Sequence, residues 1–342
     1  MGDILITRFS SLGDLVTLEP MLRALRHFHA DDTITFVTST VGRELYAERF
    51  ERVIVRDEKQ PSHRLQVVDL LGKIGEHRFD FVYDLQGSST SLLLAHRLNK
   101  RRLVNQTTRL WQKLIGYKAR GRRTDEVLSA AGFTRGAIGA YLDDPANRTI
   151  RLEASETDRE AFRRQLRERS GERPLAIIAP GASERWRSKH WGDGNYIALA
   201  RGLNAGGFAV AVVGSRLEQA AAARIVEALP EAADFTGRTS VGQLKALVGE
   251  AALFVGNDSG PAHIAAGMGT ATVTLFGPTA VKHCVGHYPY RGEHRCLTPH
   301  DVACHPCYKP ECPTRHECMA SISVHEVLDA CLTLAGENRG RD

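Results

Sequence analysis

One carboxylate stands where the first apolar run ends: Ser10-Ser11-Leu12-Gly13-Asp14 follows Ile4-Leu5-Ile6. A strand that passes into a helix through small residues gathers free backbone N–H groups, and Gly13 lets a ligand approach closely. A carboxylate held there can take a proton from a hydroxyl. A local reading competes, because an acid in a first helical turn also stabilises the helix start. The two roles pull against each other: the dipole that favours the ionised acid weakens it as a base.

Two clusters in the second half suit phosphate chemistry. Asn257-Asp258-Ser259-Gly260-Pro261-Ala262-His263 follows the apolar Leu253–Val255. Pro261 fits a first helical turn and Ser259 or Asp258 fits its cap. The N–H groups of Ser259 and Gly260 would then receive a diphosphate, with His263 about one turn further on. Without a ligand the same residues make an ordinary capped junction. Pro180-Gly181-Ala182-Ser183, with Lys189-His190-Trp191 after it, again follows a strand-like run, so Ser183 and Lys189 can reach the carboxyl end of a sheet. A lysine there neutralises charge on a departing phosphate; alone, such a lysine is solvated. Neither G-x-G-x-x-G nor G-x-x-x-x-G-K-[ST] occurs, which argues against a dinucleotide oxidoreductase and a P-loop NTPase.

Five of the seven cysteines lie in a Cys-rich segment, 296–318: Cys296, Cys304, Cys307, Cys312 and Cys318. Cys304-x-x-Cys307 has metal-knuckle spacing, and Cys312 and Cys318 could complete a tetrahedral structural zinc site. His300, His305 and His316 are alternative ligands, and reduced thiols or redox-sensitive bridges are alternative fates.

The elements needed to hold these groups are those of an α/β protein. Asp3–Thr7, Thr33–Thr38, Arg52–Val55 and Phe79–Asp84 read as short strands, and Leu15, Leu18, Leu22 and Leu25 repeat at helical spacing. The second half alternates again: strand Leu175–Ala179, helix Tyr196–Leu203, strand Phe208–Val213, a helix opened by the Ser240/Gln243 capping box, then strands Leu253–Val255 and Thr272–Phe276. The polar Glu153–Pro174, with Ser155 as N-cap of a charged helix ending near Gly171, is the expected joint. Domains of 1–165 and 172–342 follow, two parallel sheets in tandem that bind ligands outside the carboxyl ends of their strands.

With 42% hydrophobic and 25% charged residues the composition is that of a globular protein. No run of eighteen apolar residues occurs and the first residues lack a signal-peptide pattern, so a cytoplasmic protein with reduced cysteines is expected. The net charge of +5 matters less than its distribution. From Arg97 to Arg123 there are ten basic residues, no acid, and interleaved Trp111 and Tyr117. That segment suits an anionic lipid face or, equally, a solvated basic loop; no nucleic-acid module accompanies it.

The ordered set Ile4-Leu5-Ile6, Ser11-Leu12-Gly13-Asp14, Pro20, Leu25, Pro180-Gly181-Ala182, Lys189-His190-Trp191, Gly214, Glu218, Thr236-Gly237-Arg238-Thr239 and Asn257 to His263 resembles the ADP-heptose:lipopolysaccharide heptosyltransferases, glycosyltransferase family nine. The resemblance runs from residue 4 to about residue 279. It implies a GT-B fold of two Rossmann-like domains facing a cleft, and inverting, metal-independent transfer of heptose from ADP-heptose to the lipopolysaccharide inner core. It implies Asp14 as catalytic base and Lys189 as the catalytic group on the phosphates. Gly13, Ser183, Lys189, Glu218, Asp258, Ser259, Gly260 and His263 would meet the donor; Arg8, Asp84, Gln86, Arg101 and Arg102 would meet the anionic, lipid-linked acceptor. The partners implied are an ADP-sugar, that acceptor and the inner face of the cytoplasmic membrane, with no catalytic cofactor and no nucleic acid. Two departures stand out: Ser259 replaces a family Thr, and the Asp84–Ser91 stretch lacks a basic residue common near the Thr90 position, which bears on acceptor and sugar. A relative using another nucleotide-sugar, or a silent glycan-binding protein of the same fold, are the competing readings.

Overall fold

The computed structural model of the chain describes residues 1–46, 49–105, 141–281 and 289–339. The chain divides into two compact units, Met1–Arg148 and Thr149–Asp342.

In the first unit, strands β1 (Asp3–Arg8), β2 (Thr33–Thr38), β3 (Arg52–Val55), β4 (Arg78–Asp84) and β5 (Asn99–Asn105) form one parallel sheet in the order β3-β2-β1-β4-β5. Helices α1 (Leu12–Thr17), α2 (Glu19–Phe28), α3 (Thr40–Tyr46), α4 (His63–Ile74) and α5 (Ser89–Arg97) make the crossovers, and a short α6 (Pro145–Arg148) follows the undescribed 106–140. Buried Leu5, Val37, Phe79 and Val82 on the strands meet Val67, Leu70 and Leu94 on α4 and α5. The order of strands reverses between β1 and β4, so the loops after Arg8 and Asp84 open the crevice where such a sheet takes a ligand.

The second unit begins with α7 (Glu156–Ser170), capped by Ser155 accepting from the Asp158 N–H and closed by Gly171 at φ 61°. Its sheet, β11-β10-β9-β6-β7-β8, is also parallel throughout, built from β6 (Leu175–Ala179), β7 (Ala209–Val212), β8 (Ala233–Asp234), β9 (Leu253–Asn257), β10 (Ala271–Leu275) and β11 (His294–Leu297). The helices are α8 (Asp193–Ala205), α9 (Gln219–Ala228), α10 (Val241–Gly249), α11 (Gly260–Met268), α12 (Glu317–Ala320) and α13 (Val324–Arg339). The core joins Ile178, Val210, Val255 and Val273 to Leu199, Leu203, Ile322 and Leu334. Strand order reverses between β6 and β9, placing Pro180-Gly181 and Asn257-Asp258 at the second switch point.

The α/β class expected from the sequence is the class found, and the joint between the units is corrected. The joint lies at Arg148/Thr149 and not at 165–172, because α7 packs on the second unit: Arg163 Nε meets Glu250 Oε2 at 2.8 Å and the Phe162 ring meets Phe235 edge-on at 5.9 Å. The start of the basic run is a strand: Lys100, Arg101 and Arg102 lie in edge strand β5, where charge protects an exposed edge from further pairing. Arg109, Trp111, Lys113, Tyr117, Lys118, Arg120, Arg122 and Arg123 lie outside the described residues.

Candidate active site

At the switch point of the first sheet, Asp14 occupies the third position of α1 and closes a capping box: its Oδ2 accepts from the N–H and hydroxyl of Ser11 at 2.9 and 3.0 Å. The side chain remains 57% exposed, and Arg8 Nη2 faces it at 3.4 Å. Asp14 is therefore both a helix-start residue and an accessible, paired carboxylate. Arg8 is largely buried; Nη1 donates to the Leu85 carbonyl at 2.6 Å and buried Nε has no partner. Burial lowers the affinity of that guanidinium for its proton, and Asp14 and Asp84 counter the effect.

Two of the residues expected to meet the acceptor hold this crevice together. Asp84 is fully buried and both its oxygens are engaged: Oδ1 accepts from the Thr7 hydroxyl and the N–H groups of Gln86 and Gly87, Oδ2 from the Ser91 hydroxyl. Gln86 Oε1 accepts from the N–H groups of Phe9 and Ser10 at 2.9 and 3.3 Å, so it ties the loop after β4 to the loop that carries Asp14. Arg101 and Arg102 are exposed on β5; Arg102 pairs in register with Phe81 and lies 6.0 Å over its ring. No hydrogen bond or ion pair among the described residues joins either to Arg8, Asp14, Asp84 or Gln86.

The second switch point is organised around Asp258. Lys189, on a single 3₁₀ turn (Arg187–Lys189), donates to Asp258 Oδ2 at 2.6 Å and to its carbonyl at 3.0 Å. Thr279 donates to Oδ2 at 2.8 Å, and His263 Nε2 faces Oδ1 at 3.6 Å. Burial alone would raise the Asp258 pKa; His263 and Lys189 outweigh it and hold the carboxyl well below the ordinary range. Asp258 thus anchors the lysine. Next to it α11 starts at Ser259, whose backbone is extended and whose hydroxyl is buried without a partner. No side chain caps the helix, so the N–H groups of its first turn stay available to an anion.

Asn257 fixes this arrangement to the neighbouring loop, donating from Nδ2 to the carbonyls of Pro180 and Gly181 while accepting from the Tyr196 hydroxyl. Glu218, buried, accepts from the N–H and hydroxyl of Ser215 at 2.6 and 2.7 Å. A Cβ on Gly181 would stand 2.3 Å from Glu218 Cγ. Gly181→Ala should therefore lose about 1–3 kcal/mol of stability as Glu218 is forced off Ser215. Chemical denaturation checks this, and an unchanged midpoint with an undisplaced Glu218 would refute it. Ser183 is exposed and engages only its carbonyl, with Trp186 N–H at 2.7 Å.

Thr279, Trp186 and Ser188 were not singled out in the sequence. Lys189 lies 5.1 Å over the Trp186 ring, and the buried Ser188 donates from its hydroxyl to Lys309 O at 2.6 Å and from its N–H to Pro310 O at 3.0 Å. The Cys-rich loop therefore buttresses the turn that carries Lys189. Among the described residues, no group of three or more His, Cys, Asp or Glu is placed to hold a metal ion. Cys318 is buried on α12 while Cys304 is exposed. Burial pushes the Cys318 thiol up, a backbone hydrogen bond at Met319 opposes it, and the nearby Cys307, Cys312 and Cys304 add to the rise.

Comparison with known proteins gives the family. The family model for glycosyltransferase family 9 (heptosyltransferase) matches residues 67–317. Lipooligosaccharide heptosyltransferase 2 of Campylobacter jejuni is 24% identical over 93% of this chain and 94% of its own. Among solved structures, a family 9 glycosyl transferase of Veillonella parvula superposes with a TM-score of 0.78 at 21% identity, covering 98% of this chain and 97% of that one. The E. coli ADP-heptose lps heptosyltransferase II gives 0.73 at 20% identity over 99% and 100%. The two parallel-sheet units are the GT-B architecture of these structural neighbours. With the family model spanning most of the chain, including the loops after β4, β6 and β9, the protein belongs to glycosyltransferase family 9, the heptosyltransferases, and is a glycosyl-transfer enzyme.

Proposed function

We propose that the protein transfers heptose from ADP-heptose to the inner core of lipopolysaccharide, with inversion and without a catalytic metal. The observation that carries the reading is the uncapped start of α11, with the idle, buried Ser259 hydroxyl and Lys189 fixed alongside. That arrangement suits a diphosphate, and the names of the relatives supply heptose and the lipid-linked acceptor. The second unit binds the donor and the first unit the acceptor. In the reaction the acceptor O–H proton passes to the Asp14 carboxylate as the oxygen bonds to the sugar's anomeric carbon. The bond from that carbon to the phosphate oxygen breaks, and ADP leaves with its charge met by Lys189 and the α11 N–H groups.

The absence of an Asp-x-Asp pair supports turnover without a divalent ion. No described helix is long and apolar enough to cross a membrane. The unbalanced positive charge of Arg97–Arg123 supports peripheral attachment to the anionic cytoplasmic leaflet.

Thermal shift with ADP, UDP, GDP and CMP tests the donor. A ligand at one hundred times its dissociation constant adds about 2.7 kcal/mol of stability, and ADP is expected to give the largest shift, unchanged by EDTA. Stabilisation by UDP and not ADP would refute the assignment.

A further inference from the structure

Tyr290 reaches the donor site from a different part of the chain. Its hydroxyl lies 2.5 Å from His263 Nδ1, and its ring packs edge-on against His294 at 5.2 Å. The phenol is nearly buried, and the backbone around it is pinned on both sides: Ile150 N–H donates to Pro289 O at 2.8 Å and Arg291 N–H donates to Ile150 O at 3.2 Å. Leu152 N–H donates to Gly267 O on α11, so the same short segment holds both the Tyr290 loop and the helix that carries His263.

We propose that Tyr290 is a positioning residue of the donor site, acting through His263 by fixing which ring nitrogen carries the proton. The inference rests on reading the start of α11 as the donor site. His263 Nε2 faces Asp258 Oδ1 at 3.6 Å, long for a tight hydrogen bond but close enough for the carboxylate to favour an N–H there over a lone pair. An ionised carboxylate only accepts, so Nε2 carries hydrogen. In the neutral ring Nδ1 is then a bare acceptor, and the Tyr290 hydroxyl donates to it. The reverse tautomer would set the Nε2 lone pair against the Asp258 charge. Tyr290 thereby keeps one N–H edge of His263 turned to the Asp258–Lys189 pair beside the first turn of α11. Of the other groups nearby, His294 Nε2 is engaged with Thr274, at 2.7 Å, and Lys189 bonds to Asp258.

Tyr290→Phe removes the hydroxyl and keeps the ring. ¹⁵N spectra of the imidazoles, with His263 assigned by loss of its signals in His263→Asn, should show in the wild type one bare nitrogen, Nδ1, and one protonated nitrogen, Nε2. In Tyr290→Phe the His263 ring should become a mixture of forms, and KM for ADP-heptose should rise about 2–10-fold with kcat nearly kept, the range for one buried hydrogen bond. A purely structural tyrosine would change thermal stability and leave the His263 spectrum and the KM-to-kcat split untouched. An Nδ1-protonated His263 in the wild type, or an unchanged His263 spectrum in the variant, overturns the proposal whether or not ADP binds. Failure of the wild type to bind ADP overturns the donor-site reading instead, and with it the functional part of this inference.

Discussion

Asp14→Asn is expected to lower kcat by about 10²–10⁴-fold at saturating donor and acceptor, the usual cost of removing a general base. Donor affinity and thermal stability should stay close to wild type. The structure sharpens this test, because Asp14 does have a local role: its Oδ2 takes two hydrogen bonds from Ser11. An asparagine amide oxygen can accept both of these, so the helix start survives the substitution. What asparagine cannot do is take a proton or carry charge opposite Arg8, 3.4 Å away. Arg8→Gln separates those two losses. If the Arg8–Asp14 ion pair alone mattered, both variants would be equally impaired, whereas a base role leaves Asp14→Asn the weaker enzyme by at least tenfold. Retention of most of the wild-type kcat by Asp14→Asn would show that the carboxylate only starts the helix.

The parts of this molecule that read directly from the sequence are those whose partners lie nearby or whose pattern is dense. Leu175–Ala179 is buried at every residue and appears as a strand with the expected bounds. The Ser240/Gln243 capping box depends on residues three apart and is present as read. Strand β5 was hidden because an edge strand needs only one apolar face, and its Asn99-Lys100-Arg101-Arg102 start looks like solvent-facing loop. β11 was hidden for a related reason: its four residues are all only half-buried, at the other sheet's edge. The motifs at both switch points were legible because small residues after apolar runs mark the carboxyl ends of parallel strands. Their wiring was not legible. Asp84 is occupied by Thr7, seventy-seven residues earlier, and Asp258 by Thr279, twenty-one later. Pairings of that kind are made by the fold, so a carboxylate chosen from local sequence can prove to be a ligand contact or a staple.

Lys189→Ala should be the second severe variant, and its two consequences can be separated. Lys189 and Asp258 form a close pair with side chains 13% and 3% exposed. Removing only the lysine leaves a carboxylate deep in the protein without its ammonium partner, so stability should fall by about 3–5 kcal/mol. The Asp258 carboxyl, no longer held down by the ammonium, should titrate higher, with burial then opposed by the His263 side chain. The loss at the donor is distinct. An ammonium beside the α11 N-terminus bonds the diphosphate in the ground state and meets more charge as the leaving group departs. Lys189→Ala is therefore expected to weaken ADP binding about 10–100-fold, the value of a charge-assisted hydrogen bond, and to lower kcat as well. The double variant Lys189→Met, Asp258→Asn removes both charges and keeps the volume. It should regain most of the lost stability, because no buried charge is left unpaired, while donor affinity and kcat remain low. If the double variant also recovered donor affinity and turnover, Lys189 would be no more than the counter-ion of Asp258, and the phosphate role assigned to it would be wrong.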